Sequence, residues 1–144
     1  MKIRLTVDEN EEERIEIFSH KRSELVRQIE QLVESYEITV TGYGENEILP
    51  LKKENIFRVF VENNKVYAST DSGKYRLKLR LYEIEEMLGE AFLKVNQSSL
   101  VNRKHIKKFS SSFGGSLKVE LTNGETDFIS RRQTKYVLKR MGIK

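Results

Sequence analysis

The chain has no cysteine among its 144 residues, which rules out disulfides, thiol nucleophiles and cysteine-bound zinc. A reducing cytoplasm is the simple inference, although a cysteine-free chain is also compatible with secretion. Histidine is scarce: His20 and His105 stand far apart in sequence and do not suggest a metal site. Asp8, Asp71 and Asp127 are the only aspartates, and none has a neighbour suited to acid–base or phosphoacceptor work. Glycine-rich phosphate loops and His–Glu pairs at helical spacing are missing too. No apolar run approaches the roughly 20 residues of a membrane-spanning helix. Met1–Thr6 is too polar and too alternating for a signal peptide. These absences set catalysis aside: the expectation is a cytoplasmic chain that is no enzyme, with no cofactor and no metal centre.

What is present is charge, unevenly spread. The net charge is +4, with 38% hydrophobic and 33% charged residues, enough apolar content for one compact domain carrying a small appended unit. Residues 1–40 hold six Lys/Arg against ten Asp/Glu, and residues 41–91 hold eight against nine. Residues 92–144 hold twelve against three. A one-sided basic block is the footprint of a phosphate-backbone binder. A solvated lysine-rich surface gives the same count, so charge alone does not decide.

Periodicity divides the chain. Lys2–Val7 and Arg14–Phe18 alternate as strands around the acidic loop 8–13. From Ser23 the period changes: Leu25, Val26, Ile29, Leu32, Val33 and Tyr36 mark one face of a helix. Residues 1–37 thus read as an acidic β-β-α extension, and 38–144 as a separate β-rich domain. The extension is too short for a doubly wound receiver-type domain. Beyond it, Glu37–Thr41, Glu47–Leu51, Ile56–Glu62, Lys65–Thr70 and Tyr75–Arg80 read as strands, with Pro50 pointing to an edge. Leu81–Leu88 reads as a short helix stopped by Gly89, with Glu83, Glu85 and Glu86 on its solvated face. Ser116–Leu121 and Thr126–Ile129 flank an Asn123-Gly124 hairpin turn, and a last helix runs from Arg131 to Met141. The fold class is therefore mainly β (α+β), with three helices.

Two stretches carry candidate chemistry. Phe92–Asn102 alternates apolar anchors with Lys94, Asn96, Gln97, Ser98 and Ser99, the charged, amide and hydroxyl types that contact phosphates and base edges. Asn102, which closes it, leads into the basic run Arg103–Lys108. In the last helix, Ser130 and Gln133 form a capping box, placing Arg131 and Arg132 in the first turn. Cations there oppose the helix dipole, at a cost of about 0.3–1 kcal/mol each. Such a breach of local rules suits a site that grips phosphate or guanine, with Lys135 one turn on.

Taken together, Phe92-x-Lys94-x-Asn96-x-Ser98-x-x-Val101-Asn102 resembles the Phe-x-Arg-x-His-x-Ser-x-x-Val-Asn element of the LytTR family of bacterial DNA-binding domains. Ile56–Glu62 before Lys65-Val66-Tyr67, Leu81–Glu85 and Ile129-Ser130-Arg131-Arg132 support the likeness, which spans roughly Glu37 to Met141. The resemblance implies an elongated β-sheet domain that reads double-stranded DNA with loops. It implies base contacts near Asn63, Asn64 and Lys65, at Asn96 and Gln97, and at Arg132 with Arg131 beside it. Lys94, Ser98 and Lys135 would hold phosphates. Lys94 departs from the family's arginine and loses its bidentate fork; Asn96 departs from its histidine.

The expectation is a sequence-specific transcriptional regulator of the stand-alone type, without a receiver domain, binding as a homodimer to repeated half-sites. The acidic extension would serve dimerisation or docking of a controlling partner. The resemblance further implies a small membrane protein as that controller. The competing expectation is a protein-interaction module whose basic face docks an acidic partner. RNA binding would call for exposed aromatics in the polar element, and there are none between Phe92 and Phe109.

Overall fold

The computed structural model describes residues 2–35, 38–111 and 113–143. It divides into two compact units, residues 1–37 and 38–144. Tyr36 and Glu37, the expected helix end and strand start, lie outside the described residues.

The first unit contains helix α1 (Glu24–Ser35). Ser23 starts it, its Oγ accepting from the Val26 amide at 3.3 Å, and Val26 is buried. The two strands expected ahead of the helix do not form: among the described residues, 2–23 contain no strand. The acidic loop satisfies its polar groups locally, with the Asn10 amide on Asp8 Oδ1 at 3.0 Å and Arg14 on Glu11 at 3.0 Å. The alternating apolar side chains are largely exposed, Ile3 at 94% and Phe18 at 92%. A two-stranded ribbon with no apolar layer beneath it is marginal, and alternation alone does not make it pair.

Among the described residues, the second unit holds ten strands and two α-helices. In chain order they are β1 (Thr39–Tyr43), β2 (Ile48–Lys52), β3 (Arg58–Glu62), β4 (Lys65–Thr70), β5 (Gly73–Leu77), α2 (Leu81–Leu88), β6 (Phe92–Asn96), β7 (Ser99–Asn102), β8 (Ile106–Ser111), β9 (Leu117–Leu121), β10 (Thr126–Ile129) and α3 (Arg131–Arg140). Strands β1 to β7 form one antiparallel sheet in the order β2-β1-β5-β4-β3-β7-β6, and β10-β9-β8 form a second. Pro50 sits on edge strand β2, where its missing donor does least harm. Gly42 of β1 is held between Leu51 and Tyr75; a Cβ there would meet Leu51 at 2.7 Å. Glycine also ends α2, since Gly89 at the C-cap adopts φ 64°.

Strands β6 and β7 are apolar on both faces because both are covered. Phe92 and Leu100 join Val59, Ile84 and Leu88 in one core, beneath α2. Leu93, Val95 and Val101 join Val119, Leu121, Ile129 and Val137 in the other, beneath the second sheet and α3. In the basic run beyond Asn102, Arg103–His105 make one tight turn and Ile106–Ser111 become β8, with Lys104, Lys107 and Lys108 exposed. His105 stacks on Phe57 with ring centroids 4.3 Å apart.

Candidate nucleic-acid interface

Hairpin β3–β4 closes on Glu62 paired with Lys65, leaving a turn of Asn63 and Asn64. Both adopt the left-handed conformation, φ 52° and 63°, which asparagine tolerates better than other side-chain-bearing residues. Hairpin β6–β7 closes on Asn96 paired with Ser99, leaving Gln97 and Ser98 at its tip. Since β3 pairs with β7, the two turns lie at the same end of the sheet, and the Val61 amide donates to the Ser98 carbonyl at 2.9 Å. Asn63, Asn64, Lys65, Gln97 and Ser98 are all exposed there. A register shift between Lys94 and Asn96 turns the Val95 carbonyl outward from the ladder, where the Ser130 amide donates to it at 2.9 Å. Ser130 caps α3, accepting from the Gln133 amide. The start of α3 is thus tied to the same hairpin.

The remaining candidates separate. Asn96 is 3% exposed, its Nδ2 donating to Asp127 Oδ1 at 3.0 Å and to the Phe128 carbonyl at 2.8 Å. Its Oδ1 accepts from the Ser98 amide at 2.9 Å. Asn102 is 2% exposed, donating to the Lys53 and Ile56 carbonyls and accepting from the Lys104 amide. Neither side chain is placed to touch a ligand in this conformation; each holds a turn. Lys94 pairs with Leu100, which pairs with Val59, and so lies on the α2 face of the sheet, away from the arginines. Arg131 donates to the Gly114 carbonyl, bracing the segment between β8 and β9.

Residues outside the sequence-derived set complete the site. Arg58 places Nε on Glu125 at 2.5 Å and Nη1 on Asp127 at 3.1 Å, and its guanidinium lies 4.0 Å from the Phe60 ring centroid. Strand β10 therefore spans from β3 to β6 across the face of β7. Burial pushes the Glu125 carboxyl up, but hydrogen bonds from Arg58, Asn123 and Ser69 outweigh it and hold it below its ordinary value. Glu120, the other acid beyond residue 92, lies 3.8 Å from both Lys107 and Lys108. With these acids occupied, Lys94, Lys118, Arg132, Lys135 and Lys139 have no carboxylate partner among the described residues. Arg132, Lys135, Tyr136 and Lys139 follow i, i+3, i+4 and i+7 and form one exposed stripe of α3. That spacing was present in the sequence and would have added Lys139.

Among the described residues, ten strands, a basic surface and a polar edge of turns define a β-rich domain in which no two α-helices are joined by a short turn. The profile of the LytTr DNA-binding domain matches residues 46–142, and the chain belongs to this family. It is 32% identical over 146 residues to uncharacterized HTH-type transcriptional regulators of Staphylococcus aureus strains COL and N315, covering 99% of each chain. Its fold matches the LytTr DNA-binding domain of a putative methyl-accepting/DNA response regulator from Bacillus cereus, with a TM-score of 0.70 and 22% identity over 74% of this chain and 99% of that one. The helix-turn-helix in the relatives' names has no counterpart among the described residues, where five strands separate α2 from α3.

Proposed function

We propose that this chain is a sequence-specific transcriptional regulator that reads double-stranded DNA with two β-turns and the start of α3. The observation that carries the reading is the Val61–Ser98 hydrogen bond, which brings the Asn63-Asn64 and Gln97-Ser98 turns together. Donors and acceptors of both kinds then sit at one end of the sheet, with Arg132 unpaired nearby among the described residues. In this reading Gln97, Asn63, Asn64 and Arg132 meet base edges. Lys65, Ser98 and Lys135 hold phosphates, Lys94, expected among them, faces α2 and is left outside this set, and Arg131, Asn96 and Asn102 position their neighbours. One domain of this size reaches too few base pairs for selectivity, so the regulator acts as a homodimer on repeated half-sites. The acidic first unit, a poor surface for DNA, serves dimerisation or docks a controlling partner. A small membrane protein is the kind of controller the family resemblance suggests, and a cytoplasmic location follows from a DNA target.

The test is fluorescence anisotropy of the purified chain with duplex DNA from upstream of its own coding region and with a shuffled duplex, at two salt concentrations. Preference for the native duplex, weakening with salt, is expected. Equal affinity for both duplexes would reduce the site to a nonspecific basic surface. No binding at either salt would favour docking of an acidic protein partner instead.

A further inference from the structure

Neither the family resemblance nor the charge pattern singles out Phe128. In β10 the side chains of Asp127 and Ile129 turn inward, to Arg58 and to the core. Strand alternation therefore turns Phe128 outward, where it is 55% exposed. The backbone is fixed on both sides: the carbonyl accepts from Asn96 and the amide donates to Asp127 Oδ1 at 2.8 Å. Asn96 in turn holds the Ser98 amide, so the ring is placed by the same hydrogen-bond chain that sets the Gln97-Ser98 turn. Across the strand pair its partner is Lys118, exposed and without a carboxylate among the described residues. Two residues beyond Ile129 the arginine pair begins.

A half-exposed phenylalanine on an edge strand, paired across it with an exposed lysine, is suited to an anionic partner that also offers an apolar group. A second copy of the same face would set cation against cation. Duplex DNA meets both conditions, because the thymine C5-methyl is the apolar group that the major groove displays beside its donors and acceptors. We infer that Phe128 is a further specificity-determining contact, its ring packing against a thymine methyl beside the base edge met by Gln97. The inference rests on the DNA reading proposed above.

The test begins with a duplex selected from a random pool by the full chain. Each thymine is then replaced by uracil in turn, removing one methyl. One position is expected to weaken binding to the unmodified protein about three- to fourfold, the value of one buried methyl group. In Phe128→Ala the thymine duplex should bind about tenfold more weakly. At that position the variant should no longer distinguish thymine from uracil. Its salt slope should be unchanged, because no phosphate contact is lost, and Phe128→Leu should recover part of the discrimination. An affinity unchanged in Phe128→Ala overturns the contact. So does a loss shared equally by shuffled DNA, or full thymine discrimination retained in the variant. Phe128→Ala that changes the oligomeric state in size-exclusion chromatography would assign the ring to a protein interface and overturn it as well. Failure of the unmodified protein to prefer any sequence would overturn the DNA reading itself, an outcome distinct from these.

Discussion

Asn96 and Asp127 are joined by a hydrogen bond of 3.0 Å that links the β6–β7 turn to the crossing strand β10. Asn96 spends both of its donors and one acceptor site inside the protein, on Asp127, the Phe128 carbonyl and the Ser98 amide. The side chain that the family pattern marks for base contact is, in this chain, turned inward to hold the Gln97-Ser98 turn.

Asn96→Ala should therefore act on stability before it acts on recognition. It leaves the Phe128 carbonyl and the Ser98 amide without the side chain that holds them and takes one donor from Asp127, at an expected cost of about 1–3 kcal/mol. Thermal unfolding should shift downward by roughly 4–8 °C per kcal/mol for a domain of this size. An unchanged melting curve with altered sequence preference would show that Asn96 meets the base after all.

Arg58 carries the second joint between the sheets. Its side chain is 20% exposed, and its partners Glu125 and Asp127 are 28% and 8% exposed. Arg58→Met leaves the nearly buried Asp127 without its charge partner, though still hydrogen-bonded to Asn96 and the Phe128 amide, so a loss of about 2–4 kcal/mol in denaturant unfolding is expected, discounted for the exposed part of the pair. A midpoint within experimental error of the unmodified protein would remove the joint from this account.

The same pair sets a pH dependence. The Glu125 carboxyl is held below its ordinary value of 4.5 in the folded protein. Its contribution to stability is then present above that value and lost as pH falls through the lower folded value. Unfolding measured from pH 6 down to about pH 3 should show this loss in the unmodified protein and a shallower slope in Glu125→Gln. Identical slopes would mean that Glu125 is not held ionised by Arg58.

Much of the fold was legible because local signals agreed with tertiary demand. Strand β4 has the bounds that its alternation and the Asp71–Gly73 turn indicate, and helix α2 the bounds set by Leu81, Ile84 and Gly89. Ser130 caps α3 as its spacing to Gln133 indicates. The misreadings share a cause: a pattern reports what a side chain is, not what covers it. Ile3 and Leu5 alternate as a strand would, but pairing depends on a layer the sequence of residues 2–18 does not supply. Asn96 and Asn102 are polar and stood in the candidate element, whereas β10, drawn in by the Arg58–Asp127 pair, closes over Asn96, and Asn102 turns to the Lys53 and Ile56 carbonyls. No local signal announces an ion pair across 69 residues.

Arg132 and Lys135 share the exposed stripe of α3, and under the proposed reading the first meets a base and the second a phosphate. If Arg132 grips a base edge bidentately, Arg132→Ala should cost about 1–3 kcal/mol on a selected duplex and relax preference at one position only. Arg132→Lys keeps the charge but loses the fork, so it should restore the salt slope without restoring the preference. Lys135→Ala, by contrast, should weaken all duplexes alike and reduce the salt slope by about one. Anisotropy titrations of the three variants against selected and shuffled duplexes, over a range of salt, measure both quantities at once. Should Arg132→Ala and Lys135→Ala give the same uniform loss, α3 would grip only the backbone, and sequence reading would fall to the two β-turns.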